Sequence, residues 1–217
     1  MTDKGIIFGA PMIQALLAGR KTQTRRVLKI RGHRIFTEFG RSGTDGYDWH
    51  FRDKALRWHD YRDADIRKRL THAPGDRLWV REGHAIVGAS DPGWVLYREA
   101  GYEAECARHG FDAPYPAEKS IRWRSPIHMP RWASRLTLTV TDVRVQRVQD
   151  ISEEDALAEG VERLRYPERG DWGWPQERFR DLWDGLNAKR GFGWDVNPWV
   201  AALTFTVERR NIDGAAP

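Results

Sequence analysis

The sequence predicts an α+β fold, a small and strongly bent β-barrel with flanking helices and loop insertions. Three observations predict it. Leu136, Leu138 and Val140 alternate with Thr137, Thr139 and Thr141, and Leu203, Phe205 and Val207 alternate with Thr204, Thr206 and Glu208, so two distant stretches carry the period of a half-buried strand. Phe179, Leu182, Trp183 and Leu186 recur instead at helical spacing, ended by Gly191. Strands and helices do not follow one another as a βαβ array requires, which favours a bent sheet or barrel with helices at its ends. The 217 residues, 40% of them hydrophobic, suit one domain over 1–217.

In chain order, residues 6–8 read as a short strand. Pro11 suits the first turn of a helix, where its missing N–H costs nothing. Met12, Ile13, Leu16 and Leu17 share a helical face, and Gly19 is a natural stop. The run at 21–26 follows on a loop or the start of a strand. Residues 30–72 show no clean period and read as loops, with a short helix at 63–70. Pro74, Gly75 and Asp76 signal a turn before a strand at 77–82. On that strand Leu78 and Val80 face one way, Trp79 and Arg81 the other. Residues 84–125 read as irregular. The apolar parity of the strand at 136–145 switches at Val143, which suggests a bulge near Asp142. Ser152 and Asp155 make a capping pattern for a helix over 153–159, closed by Gly160.

The charges narrow the function classes. Net charge is +5, but residues 20–69 alone hold 15 Lys/Arg against 7 Asp/Glu, a net of +8. The same segment contains Phe36, Phe39, Tyr47, Trp49, Phe51, Trp58 and Tyr61. Cations neutralise phosphates and rings stack on bases, so a nucleic-acid or nucleotide partner is one reading, and a solvated insertion anchored by a few rings is the other. No apolar run reaches the length of a membrane span. The N-terminus lacks the pattern of a signal peptide, and the single Cys106 excludes an internal disulfide, so the expectation is cytoplasmic. The seven histidines (33, 50, 59, 72, 84, 109 and 128) lack metal-site spacing. Neither a phosphate-binding glycine loop nor a serine nucleophile elbow is present. A site without metal or cofactor is expected.

The run Ala15, Leu16, Leu17, Ala18, Gly19, Arg20, Lys21, Thr22, Gln23, Thr24, Arg25, Arg26 resembles the signature of ASCH proteins of the PUA-like superfamily, in which a helix ending in Gly leads into Lys-Thr-x-Thr-x-Arg. Residues 74–82, 125–135 and 150–160 are also similar to ASCH proteins of phage and prophage origin. Within the superfamily, the motif is similar to that of small amidohydrolases that deacetylate N4-acetylcytidine. The resemblance implies a catalytic trio of Lys21, Thr24 and Glu159, with Glu162 as the alternative carboxylate, and it includes Arg26. Those smaller enzymes lack most of 30–72, 84–125 and 161–175, insertions expected to reshape the pocket entrance.

The chemistry of such a trio is coherent. A threonine hydroxyl needs a base to take its proton, and a lysine amine serves if burial or a nearby cation such as Arg25 or Arg26 favours its neutral form. The expected place of Glu159 at a helix C-terminus disfavours its negative charge, which suits a proton shuttle to a leaving amine. Without the resemblance, Lys21, Thr24 and Glu159 read as solvated surface residues. Arg25, Arg26, Trp79, Arg81, Arg131 and Trp132 are candidate substrate contacts; Arg135 belongs with the last two, and His128 reads as a structural hydrogen-bonder. Alternative functions are a non-catalytic module that binds RNA or a modified base, and a ribonuclease in which Lys21 and Arg26 stabilise a phosphorane.

Overall fold

The computed structural model describes residues 3–32, 36–88, 93–110, 118–163, 165–166 and 171–214, with the side chains of 36, 37, 165, 166, 171 and 172 excepted. His33, the side chain of Phe36, and parts of all three expected insertions lie outside the described residues. The elements are β1 (Asp3–Ile7), α1 (Ala10–Leu17), β2 (Gln23–Val27), β3 (Phe36–Arg41), β4 (Trp49–Asp53), β5 (Trp58–Tyr61), α2 (Asp63–Arg69), β6 (Arg77–Arg81), β7 (His84–Val87), β8 (Trp94–Tyr97), α3 (Tyr102–Arg108), β9 (Thr137–Arg147), α4 (Glu153–Ala158), β10 (Arg165–Tyr166), β11 (Asp171–Trp172), α5 (Pro175–Asn187) and β12 (Trp199–Glu208). The α+β class is therefore observed, with the strands distributed over several sheets. Among the described residues no helix is long and apolar enough to cross a membrane.

The chain divides into two compact units, each assembled from distant segments. The first comprises Met1–Thr22, Asp76–Thr139 and Thr206–Pro217. Here β1 runs parallel to β6, with Gly5 opposite Trp79, and β6 pairs antiparallel with the first residues of β9. Leu78 and Val80 point into the core, as their alternation predicts, and leave Trp79 and Arg81 half-buried on the other face. Gly5 is required: a Cβ there would lie 2.9 Å from the Trp79 ring. In α1, Ile13, Ala15 and Leu16 are buried, and Gly19 at φ +71° ends the helix. Within 84–125, expected to be irregular, the described residues instead include the antiparallel pair β7–β8 and the helix α3. Val95 and Tyr97 pack on Met129 and Ala133, while Ala85 and Leu96 pack on Ile121.

The second unit comprises Gln23–Gly75 and Val140–Phe205. Its β2 pairs antiparallel with β12, Arg25 opposite Ala202. Residues 30–72, also expected to be loops apart from the helix, fold into an antiparallel sheet in the order β3-β4-β5, followed by α2. Along β4 Trp49, Phe51 and Asp53 are buried and alternate with half-buried His50 and Arg52. Asp53 belongs in that row because it organises the next turn. Its Oδ1 accepts from the backbone N–H of Ala55 and Arg57 at 2.8 and 3.0 Å, and its Oδ2 lies 2.9 Å from His59 Nε2. Trp49 and Phe39 stack with centroids 5.3 Å apart and meet the edge of Trp199.

Helices α4 and α5 share an apolar cluster of Val148, Ile151, Ala156, Phe179, Trp183 and Val200. Ser152 caps α4 by accepting from the Asp155 N–H at 3.1 Å. In α5 the inward row is Phe179, Trp183 and Asn187, not Leu186, which is exposed. Asn187 takes the i+4 place by donating to the Trp183 carbonyl at 3.1 Å. Burying each of the two rings stabilises the unit by about 2 kcal/mol or more.

Candidate functional site

In the second unit, β2 and α4 bring charged side chains of opposite sign together under cover. The Arg25 guanidinium, with no side-chain exposure, donates to Asp155 Oδ2 at 2.5 Å and to Glu159 Oε1 at 3.2 Å, and lies 5.7 Å from the Phe179 ring centre. Gln23 donates to Asp155 at 2.8 Å, and Arg144 adds further bonds at 3.0 and 3.1 Å. Burial pushes the Asp155 carboxyl up, but the hydrogen bonds from Gln23 and Arg144 and the charges of Arg25 and Arg144 win and hold it below the ordinary carboxylate value. Glu159 is the C-cap residue of α4, before Gly160 at φ +94°. It is buried, whereas Glu162 is exposed. The Arg25 charge answers the carboxylate that the helix C-terminus disfavours.

Thr24 and Arg26 alternate with Gln23 and Arg25 along β2 and so belong to its other face. Thr24 is buried and Arg26 half-buried. Burial pushes the Arg26 guanidinium below its ordinary value; the negative charge of Glu159 opposes the shift and the positive charge of Arg190 adds to it. Arg26 thus presents a partly desolvated cation that responds to Glu159.

In the first unit, Lys21 follows the close of α1, its N–H bonded to the Ala15 carbonyl at 3.2 Å. Its side chain is fully buried, with Nζ 5.4 Å from the Phe8 ring centre.

The remaining candidate contacts lie in the first unit. Arg81 stacks 5.0 Å from the Trp79 ring and donates to the carbonyls of Ile127 and Met129. Arg131 bridges Asp213 and Asp3, with contacts of 2.6 Å to each, so its charge is answered internally. Trp132 is exposed. Arg135 is not on the surface: it forks onto Glu82 at 2.9 and 2.8 Å, approaches Glu105 at 3.7 Å and covers the Tyr97 ring at 4.1 Å. Burial pushes the Glu82 carboxyl up despite Arg135, and pushes the Tyr97 hydroxyl up as well.

Sequence reasoning missed Asp155 as a charge partner, placed Glu82 only as the end of a strand, and missed Tyr97 and Glu105. The capping pattern at Ser152 gave Asp155 a purely local role. A signal for Glu82 existed in the strand motif that ends on it, but its partner Arg135 is 53 residues away. Among the described residues no group of three or more His, Cys, Asp or Glu side chains is arranged to hold a metal ion. No family model matches the chain, and no curated protein or solved structure matches it either.

Proposed function

We propose that the protein is a metal-independent amidohydrolase acting on an N-acylated pyrimidine nucleoside similar to N4-acetylcytidine, on a small bent barrel of the PUA-like ASCH type in the cytoplasm. The Thr24 hydroxyl attacks the acyl carbon and the Lys21 amine takes its proton. Glu159 delivers a proton to the exocyclic amine as the C–N bond breaks, and water then releases the acyl group as a carboxylate. Arg26 holds the ligand, and Arg25 positions Glu159.

The observation that carries this reading is burial. Lys21, Thr24 and Glu159 are 0%, 3% and 3% exposed, although lysine and glutamate are almost never fully buried unless something compensates them. Surface residues of a basic loop do not behave this way. The test is incubation of the pure protein with N4-acetylcytidine and mass spectrometry of the products. Release of acetate by the wild type and its loss in Lys21→Ala are expected; intact substrate after long incubation with the wild type overturns the reading.

A second reading, binding of RNA or a modified base without turnover, is favoured by the exposed rings of Tyr47 and Trp58 within the basic segment 20–69. Arg52 lies 5.7 Å from the Trp58 ring centre. Binding of RNA with no release of acetate is its signature.

A further inference from the structure

The second unit contains a cavity of about 650 Å³ at the junction of β5 and α2. That volume suits a nucleotide-sized ligand. Tyr47, Tyr61, Arg62, Lys68 and Arg69 line it, together with Asp60 and Asp65. Asp65 pairs with Lys68 at 3.0 Å, and Asp60 accepts from the neutral Ser42 hydroxyl at 2.6 Å and keeps its charge. Arg62 and Arg69 make no ion pair among the described residues, so two cations face one carboxylate and the net charge left in the cavity is positive. Arg62 is the residue just before α2 and Arg69 is its last.

The aromatic part is fixed beforehand. Phe51, fully buried, stacks on Tyr61 with an interplanar angle of 3° and centroids 5.5 Å apart. The Arg69 guanidinium lies 5.0 Å from the same ring centre. The Arg69 plane is therefore held by packing, and a guanidinium plane stacks on a base as readily as a ring does. Tyr47, 44% exposed, offers a second ring at the rim. Two unpaired cations beside stacking surfaces are what the phosphate and the base of one nucleotide need.

We propose that this cavity binds a nucleotide unit of single-stranded RNA, its base on Arg69 or Tyr47 and its phosphates at Arg62 and Arg69. The inference deepens the proposed function: it makes the modified nucleoside a residue within an RNA strand, which the Lys21, Thr24 and Glu159 trio then deacylates. It rests on that reading for the identity of the reacting base, but not for the binding itself.

The experiment uses the full chain and a fluorescein-labelled eight-nucleotide oligouridylate, with anisotropy read across a salt series. Arg62→Ala/Arg69→Ala is expected to weaken binding at least tenfold and to flatten the slope of log K against log salt by about 1.4, the value for two lost phosphate contacts on a single strand. Tyr47→Ala is expected to weaken binding about fivefold or more. Arg62→Ala alone, at an exposed position, covers the case in which the double variant misfolds, and is expected to flatten the slope by about 0.7. Lys54→Ala, also exposed and in the same basic segment but outside the cavity, is the control. Equal losses at Lys54 and Arg62 overturn the proposal, as does wild-type binding that is absent or no tighter than to an RNA duplex of equal length. Turnover of free N4-acetylcytidine by the wild-type chain is read in parallel. Failure of that turnover in the wild type counts against the amidohydrolase reading and leaves the binding result standing.

Discussion

Each unit of this protein buries one guanidinium between two carboxylates, and the two arrangements differ in which partner yields. In the second unit Arg25 lies between Asp155 and Glu159, and Gln23 and Arg144 supply extra donors, so Asp155 stays ionised more readily than usual. In the first unit Arg135 lies between Glu82 and Glu105; Glu105 also accepts from Arg108 and from the Tyr97 N–H, whereas burial of Glu82 outweighs its fork to Arg135, so the Glu82 carboxyl is pushed up. A buried ion pair therefore does not by itself fix the charge state; the depth of burial of the carboxylate and the donors around it together do. The well-supplied network is the one that ends on Glu159.

The largest expected effect comes from removing either guanidinium. Arg25→Ala and Arg135→Ala should each destabilise the protein by about 3–5 kcal/mol, because each removes the guanidinium that answers a buried glutamate, Glu159 and Glu82 respectively. Native-state hydrogen exchange separates them: Arg25→Ala should expose β2 and α4, and Arg135→Ala should expose β6 to β8. Loss of protection in the same residues for both variants would break the comparison.

Acid gives the next contrast, and its sign differs between the units. The folded Asp155 value lies below its ordinary 3.8, so its contribution is fully present above about pH 4 and is lost as pH falls through the folded value. The folded Glu82 value lies above its ordinary 4.5, so its contribution is present below about pH 4 and is lost as pH rises through the folded value. Acidification from pH 6 should therefore loosen β2 and α4 before β6 to β8, after correction of exchange for its intrinsic pH dependence. The reverse order would contradict the assignment.

The smallest effect is expected on the surface, where Arg131 also bridges two carboxylates, Asp3 and Asp213, but in solvent. Arg131→Ala should move the urea denaturation midpoint only slightly, and less in high salt. A loss as large as that of Arg135→Ala would mean that burial is not what separates these networks.

Legibility in the sequence followed the same division. Strands β9 and β12 and helix α5 were readable because apolar residues supply their inward rows, Leu138, Val140, Phe205, Phe179 and Trp183. The β3-β4-β5 sheet was not readable, because its inward row includes Asp53, a charged residue that organises the turn after β4. Asn187 in place of Leu186 misled the reading of α5 for a similar reason. At the site, Lys21, Thr24 and Glu159 came from motif resemblance, and no local pattern foretold that all three are buried. Nor did any pattern foretell that Arg25 joins Asp155 and Glu159 across more than a hundred residues, since ion pairs between distant segments leave no periodic trace.

In the proposed reaction the Thr24 hydroxyl is the group that attacks the acyl carbon. The direct measurement is the rate of acetate release from N4-acetylcytidine by Thr24→Ser, which keeps a hydroxyl, and by Thr24→Val, which keeps the shape and loses it. Measurable turnover in the serine variant and a loss of at least about a hundredfold in the valine variant are expected. Turnover by Thr24→Val at the wild-type rate would contradict that reaction.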